Sequence, residues 1–149
     1  RQMCIRDRAY TDPTLRRKYT RMGFWVNIRL IRYPDVLLMA AESANEKGLM
    51  GEASGYLEQV RAHARGTLTN VLPKVESLDQ SVLREAIRHE RRVELGLEPD
   101  RFYDLVRWGI AQEVLQAAGK NYQPKNALLP LPQTEIDKSN GVLVQNPDY

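Results

Sequence analysis

At 149 residues and a net charge of +3, the chain is long enough for one ordinary domain, which would bury roughly 70% of its unfolded surface on folding alone. No apolar run approaches the roughly 20 residues that a membrane-spanning helix needs, and residues 1–8 lack the apolar core of a signal peptide. The single cysteine, Cys4, has no partner for an internal disulfide and says nothing about redox compartment.

The charge is uneven, with +7 over residues 1–32 and −4 over residues 33–149. A basic arm on an acidic body raises a nucleic-acid or membrane partner. No nucleic-acid module surrounds Arg16-Arg17-Lys18 and Arg21, so these read as a solvated surface run, with no nucleic acid expected. Residues 1–8, RQMCIRDR, fit no helical or strand period and resemble a translated sequencing-adapter remnant, so they read as a non-native leader.

Phe24-Trp25-Val26-Asn27-Ile28 reads as extended or irregular structure leading into a first helix from about Ile31 to Lys47, stopped by Gly48. Tyr33, Val36, Leu37, Ala40 and Ala44 form its apolar face, which Leu38 and Met39 widen; such a helix is expected between neighbours, with Glu42 needing a partner. The period resumes from Glu52 to Ala64, so two helices joined near Gly48 and Gly51 form an antiparallel hairpin, the geometry of a helical-repeat unit. A loop from Gly66 to Ser77 precedes a helix capped by Ser77 or Asp79 and reaching about Leu97. Pro99 breaks that run, and a further helix is expected from Asp100 (or Glu98) through Trp108 to about Ala118, closed by Gly119. Beyond Lys120 the prolines imply an extended tail with one helical turn at Thr134–Asp137.

Glu90 and Glu94 share the apolar face of the third helix with Leu83, Ala86, Ile87 and Leu97. Two carboxylates within an apolar stripe are costly to bury alone, so they demand cations, and Arg32, Arg101 and Arg107 are the candidates. The alternative, a glycosidase acid pair, fits poorly, because such carboxylates flank a sugar bond and these two lie on one helix. The preferred reading is a structural ion-pair network of Arg32, Glu42, Glu90, Arg91, Glu94, Arg101, Asp104 and Arg107, with no catalytic residues. His89-Glu90 lacks the second histidine of a zinc protease, because position 93 is Val93, and no cofactor or metal is expected. Trp108 reads as core, whereas Trp25 and Tyr122, in irregular segments, are the weak candidates for an exposed ring that stacks on a sugar.

Ile31-Arg32-Tyr33-Pro34-Asp35-Val36-Leu37-Leu38-Met39-Ala40-Ala41-Glu42 resembles the central helix motif of the SusD/RagB family. Glu90-Arg91-Arg92-Val93-Glu94-Leu95 with Arg101-Phe102-Tyr103-Asp104-Leu105 and Arg107-Trp108 resembles its second signature. Leu129-Pro130-Leu131-Pro132, Glu135-Ile136 and Gln145-Asn146-Pro147-Asp148-Tyr149 resemble its C-terminal end, and Lys18-Tyr19 fits its lead-in. Asp35, Pro99 and Asp148 depart from the usual Glu, Gly and Gly; Asp tolerates left-handed backbone better than most residues.

The resemblance implies a mainly α fold of tetratricopeptide-like helix pairs with long irregular loops and an extended, proline-containing C-terminal tail. On it, residues 9–149 are the C-terminal part of such a helical domain. It implies a non-enzymatic, surface glycan- or nutrient-binding lipoprotein of the outer membrane, facing outwards, that passes its polysaccharide or oligosaccharide ligand to a TonB-dependent SusC-like channel. Membrane attachment would run only through a lipid anchor that this sequence does not contain. The competing expectation is a helical-repeat scaffold that docks proteins without binding glycans.

Overall fold

The computed structural model describes residues 30–149 except positions 69 and 78. Among the described residues the regular structure is helical, without strands: α1 Tyr33–Glu46, α2 Met50–Arg65, α3 Gln80–Glu94, α4 Arg101–Arg107, α5 Ala111–Ala117, a 3₁₀ turn Pro124–Ala127, and α6 Gln133–Lys138. Two compact units divide the chain, one ending at Glu94 and the other spanning Leu95–Tyr149. The leader, Cys4, the basic run and Trp25 lie outside the described residues.

In the first unit, α1 starts where Pro34 pre-sets the first turn and Asp35 places negative charge near the positive end of the helix dipole. It ends in a Schellman turn: Gly48 takes φ +78°, its N–H bonds Asn45 O, and the Leu49 N–H reaches back to Ala44 O at 2.9 Å. That turn sends α2 back along α1. Leu37, Leu38, Ala41 and Ala44 of α1 meet Ala53, Leu57 and Val60 of α2 and Leu83 and Ile87 of α3 in one core. Ala41, Ala44 and Ala53 are the small residues buried where these helices meet. α3 begins as its sequence dictates, with Asp79 Oδ1 accepting the main-chain N–H groups of Ser81 and Val82.

The buried stripe of α1 is narrower than the sequence face. Leu37, Leu38, Ala41, Ala44 and Asn45 are buried, whereas Tyr33, Val36 and Met39 are exposed. The reason is the placement of neighbours: α2 and α3 both pack on the Leu38–Ala41 side, so the expected enclosure is one-sided within this unit.

In the second unit, the single helix expected over 100–118 is two. Gly109 at φ +71° ends α4, with the Gly109 N–H on Val106 O and the Ile110 N–H on Leu105 O. The same Schellman pattern recurs at Gly119 and ends α5. Leu105, Ala111 and Tyr122 form the core here, covered by Phe102, Val106, Ile110, Val114 and Leu115.

Candidate functional site

The side chains singled out by charge form named pairs. Glu90, almost wholly buried at 1% exposure, accepts a 2.7 Å hydrogen bond from Arg61 Nη1. Arg61 belongs to α2, and its Nη2 also donates to the Pro73 carbonyl at 2.9 Å. One guanidinium thus neutralises a buried carboxylate and fixes the path of the loop after α2. Arg32 meets the other carboxylate: Nη1 donates to Glu94 Oε1 at 3.1 Å and Nη2 to the Glu94 carbonyl at 2.9 Å, at the negative end of α3. Arg91, buried on α3, donates to Asp35 Oδ1 at 2.8 Å, joining α3 to the start of α1. Glu42 is half-buried on α1.

The sequence reading of the pairs missed Arg61 and Arg65. Arg65 Nη1 and Nη2 bond Glu58, while its Nε and Nη2 bond the Leu72 carbonyl at 3.0 and 2.7 Å. The signal was available, since a buried Glu90 must find its cation on a facing helix, and α2 carries two arginines one turn apart. Of the three cations proposed for the glutamates, Arg32 meets Glu94. Arg107 binds Asp104, with Nε at 3.0 Å and Nη2 at 2.9 Å from Oδ1. The guanidiniums of Arg101 and Arg107 lie 5.8 and 4.9 Å from the Trp108 ring centroid, within cation–π range. Trp108, expected in the core, is half-buried beneath these guanidiniums.

Tyr122 is corrected from the expectation of exposure. It is buried, 6.4 Å edge-on from Phe102, with its carbonyl accepting from Gln116 Nε2, so its face does not offer a sugar platform. Glu90 and Glu94, each held by a guanidinium from outside α3, do not face each other across an open cleft. The pairs link α1 to α3, α2 to α3, and α2 to the loop that follows it.

The tail is held by side chains reading main chain. Gln145 Oε1 accepts the Leu131 N–H at 2.7 Å and Gln145 Nε2 donates to the Leu131 carbonyl at 2.9 Å, so one amide side chain does what a paired strand residue would do. Asn146 Nδ2 donates to the Leu129 carbonyl, the Tyr149 hydroxyl to that of Leu128, and Lys125 Nζ to that of Asp148. Asp148 takes φ +67°, the left-handed conformation that its side chain tolerates.

Two exposed carboxylates have shifted titrations. Hydrogen bonds from the Ser81 hydroxyl, then from the Val82 and Ser81 N–H groups, hold Asp79 below the ordinary aspartate range. A bidentate hydrogen bond and the charge of Arg84 hold Glu46 below the ordinary glutamate range.

Arg32, Asp35, Glu90, Arg91, Glu94, Asp104, Arg107, Gln145, Asn146 and Tyr149 fall in the blocks singled out in the sequence, whereas Arg61 and Arg65 do not. The model of the SusD family matches residues 10–149. The chain belongs to the SusD/RagB family. It is 39% identical over 124 residues to SusD-like protein P25 of Formosa agariphila, covering 78% of this chain and 23% of that protein. SusD-like protein P2 of the same organism is 36% identical over 127 residues, 80% of this chain and 25% of the relative. Among solved structures, a SusD homolog from Bacteroides thetaiotaomicron superposes with a TM-score of 0.74 at 30% identity, covering 89% of this chain and 30% of that one. This SusD-family chain therefore spans about a quarter of the length of the curated relatives it matches, and its all-α, tetratricopeptide-like fold is that of the solved neighbour.

Proposed function

We propose that this chain is the C-terminal part of a non-enzymatic outer-membrane lipoprotein that captures a glycan or related nutrient at the cell surface and hands it to a TonB-dependent SusC-like channel. The observation that carries the reading is the match to the SusD family across residues 10–149. The interior supports a binding rather than a catalytic role, because Glu90 and Glu94 are taken up by Arg61 and Arg32. Arg32, Glu42, Glu90, Arg91, Glu94, Arg101, Asp104 and Arg107 act in this reading as the charged frame of the scaffold. No helix among the described residues is long and apolar enough to cross a membrane, and a lipid anchor elsewhere in the protein would supply attachment.

The test is made on the complete protein, with the gene sequenced upstream of this segment. Retention by a polysaccharide in affinity electrophoresis, together with co-purification of the channel encoded alongside, is the expected result. Absence of both overturns the proposal, and reducing-sugar release that disappears in Glu94→Gln would restore the glycosidase reading.

A second reading is a helical-repeat scaffold that docks protein without glycan. The exposed apolar side chains Tyr33, Val36 and Met39 on α1 favour it. Channel binding without polysaccharide retention is its distinguishing outcome.

A further inference from the structure

The chain has seven asparagines, and one of them, Asn140, precedes a glycine. The environments of the described asparagines differ in ways that matter chemically. Asn45 is buried and its Nδ2 donates to the Gln80 carbonyl. Asn126 Oδ1 accepts the Gln123 N–H. Asn146 is tied to the Leu129 carbonyl and precedes Pro147, which has no N–H. Asn70 and Asn121 precede the bulky Val71 and Tyr122.

Asn140 is exposed, and its carboxamide makes no hydrogen bond to any described residue; the Gly141 N–H makes none either. Gly141 is exposed, and nothing lies within 4 Å of where a Cβ on it would sit. The two residues take φ +53° and +83°, the pair of left-handed conformations of a type I′ turn. One main-chain bond closes it, from the Val142 N–H to the Ser139 carbonyl at 3.2 Å.

We propose that Asn140 is a self-modification site, converting to aspartate and isoaspartate by attack of the Gly141 main-chain nitrogen on the Asn140 side-chain carbonyl carbon. The new N–C bond closes a five-membered imide as the bond from that carbon to the side-chain nitrogen breaks. The departing nitrogen takes up the Gly141 amide proton, directly or through solvent, and leaves as ammonia. Water then adds to either imide carbonyl: opening at one restores the main chain with an aspartate, opening at the other leaves the longer isoaspartyl link. No oxidant or enzyme is needed. The turn must open at its closing bond for the nitrogen to reach its target, so local opening, rather than global unfolding, sets the rate.

The modification would act on the tail. Ser139 Oγ donates to the Ile136 carbonyl and accepts the Leu143 N–H, joining α6 to the extended segment that follows. The extra main-chain carbon of the isoaspartyl link changes the spacing of the closed turn between these two anchors, whereas the aspartate product keeps an Asp-Gly pair that such a turn accepts.

The experiment incubates the complete protein that carries this segment, folded and in parallel unfolded in urea, at mildly alkaline pH, and follows the seven asparagines of the segment. Isoaspartate is read by methyl transfer from an isoaspartyl methyltransferase and located by fragmentation of the tryptic peptide that follows Lys138. The expected result is conversion in the folded chain at Asn140 ahead of every other asparagine, lost in Asn140→Gln and in Gly141→Ala. Because the positive φ of Gly141 strains an alanine there, Asn140→Gln is the deciding variant. Conversion confined to the unfolded sample, or appearing first at another asparagine, overturns the proposal.

Discussion

The two units solve the problem of order with different chemistry. The first, α1 to α3, interlocks nine buried apolar side chains and adds arginine–carboxylate pairs at low exposure. The second has a small core around Leu105, Ala111 and Tyr122, and orders its last twenty-odd residues through side chains hydrogen-bonded to main chain. Burial needs side chains of a given volume at a given period, and that is what sequence patterning records. Clasping needs a few amide and hydroxyl groups at positions that no period announces.

The contrast is broken first at Glu90. Replacing it by alanine strands the largely buried Arg61 guanidinium, and losing one partner of a buried pair costs about 3–5 kcal/mol. Chemical denaturation should show that loss, and a double variant with Arg61→Met should recover part of it. An unchanged midpoint for Glu90→Ala would mean that the pair is not a stabilising element of this unit. Leu38→Ala, at a side chain with no exposure, should cost about 2–5 kcal/mol through lost contact and the cavity left behind. Faster amide exchange through α1 and α2 is the readout.

The second unit responds on a smaller scale. Gln145→Ala removes three hydrogen bonds, two of them to Leu131, each contributing about 0.5–1.5 kcal/mol, and should sharply raise exchange at the Leu131 amide. Protection there that survives the substitution would assign the order of the tail to something other than the clasp.

The smallest effect is the pH dependence at the start of α3. Because the folded state holds Asp79 ionised below its ordinary range, its contribution is complete above that range and is lost as pH falls through the lower folded value. Titration of the Ser81 and Val82 amide signals should follow that acid step and lose it in Asp79→Asn.

The sequence made the first unit legible and the second only in outline. Apolar period placed α1, α2 and α3 within a few residues, and the carboxylates at Glu90 and Glu94 announced buried charge. It did not reveal which arginine serves Glu90, since Arg61 sits on a helix read for its apolar face. Nor did period show that Tyr33, Val36 and Met39 stay exposed, because that depends on where α2 and α3 lie. The helix expected across 100–118 ignored Gly109, whose left-handed backbone closes α4 with two hydrogen bonds. Tyr122 looked exposed because it lies in an irregular segment, yet the packing of α4 and α5 covers it.

Arg61 and Arg65 bind the carbonyls of Pro73 and Leu72, and Gln145, Asn146 and Tyr149 bind those of Leu131, Leu129 and Leu128. A carbonyl is supplied by whichever amino acid occupies the position. At these contacts the course of both loops is set by five distant side chains, to which the loop residues offer main chain rather than side chains.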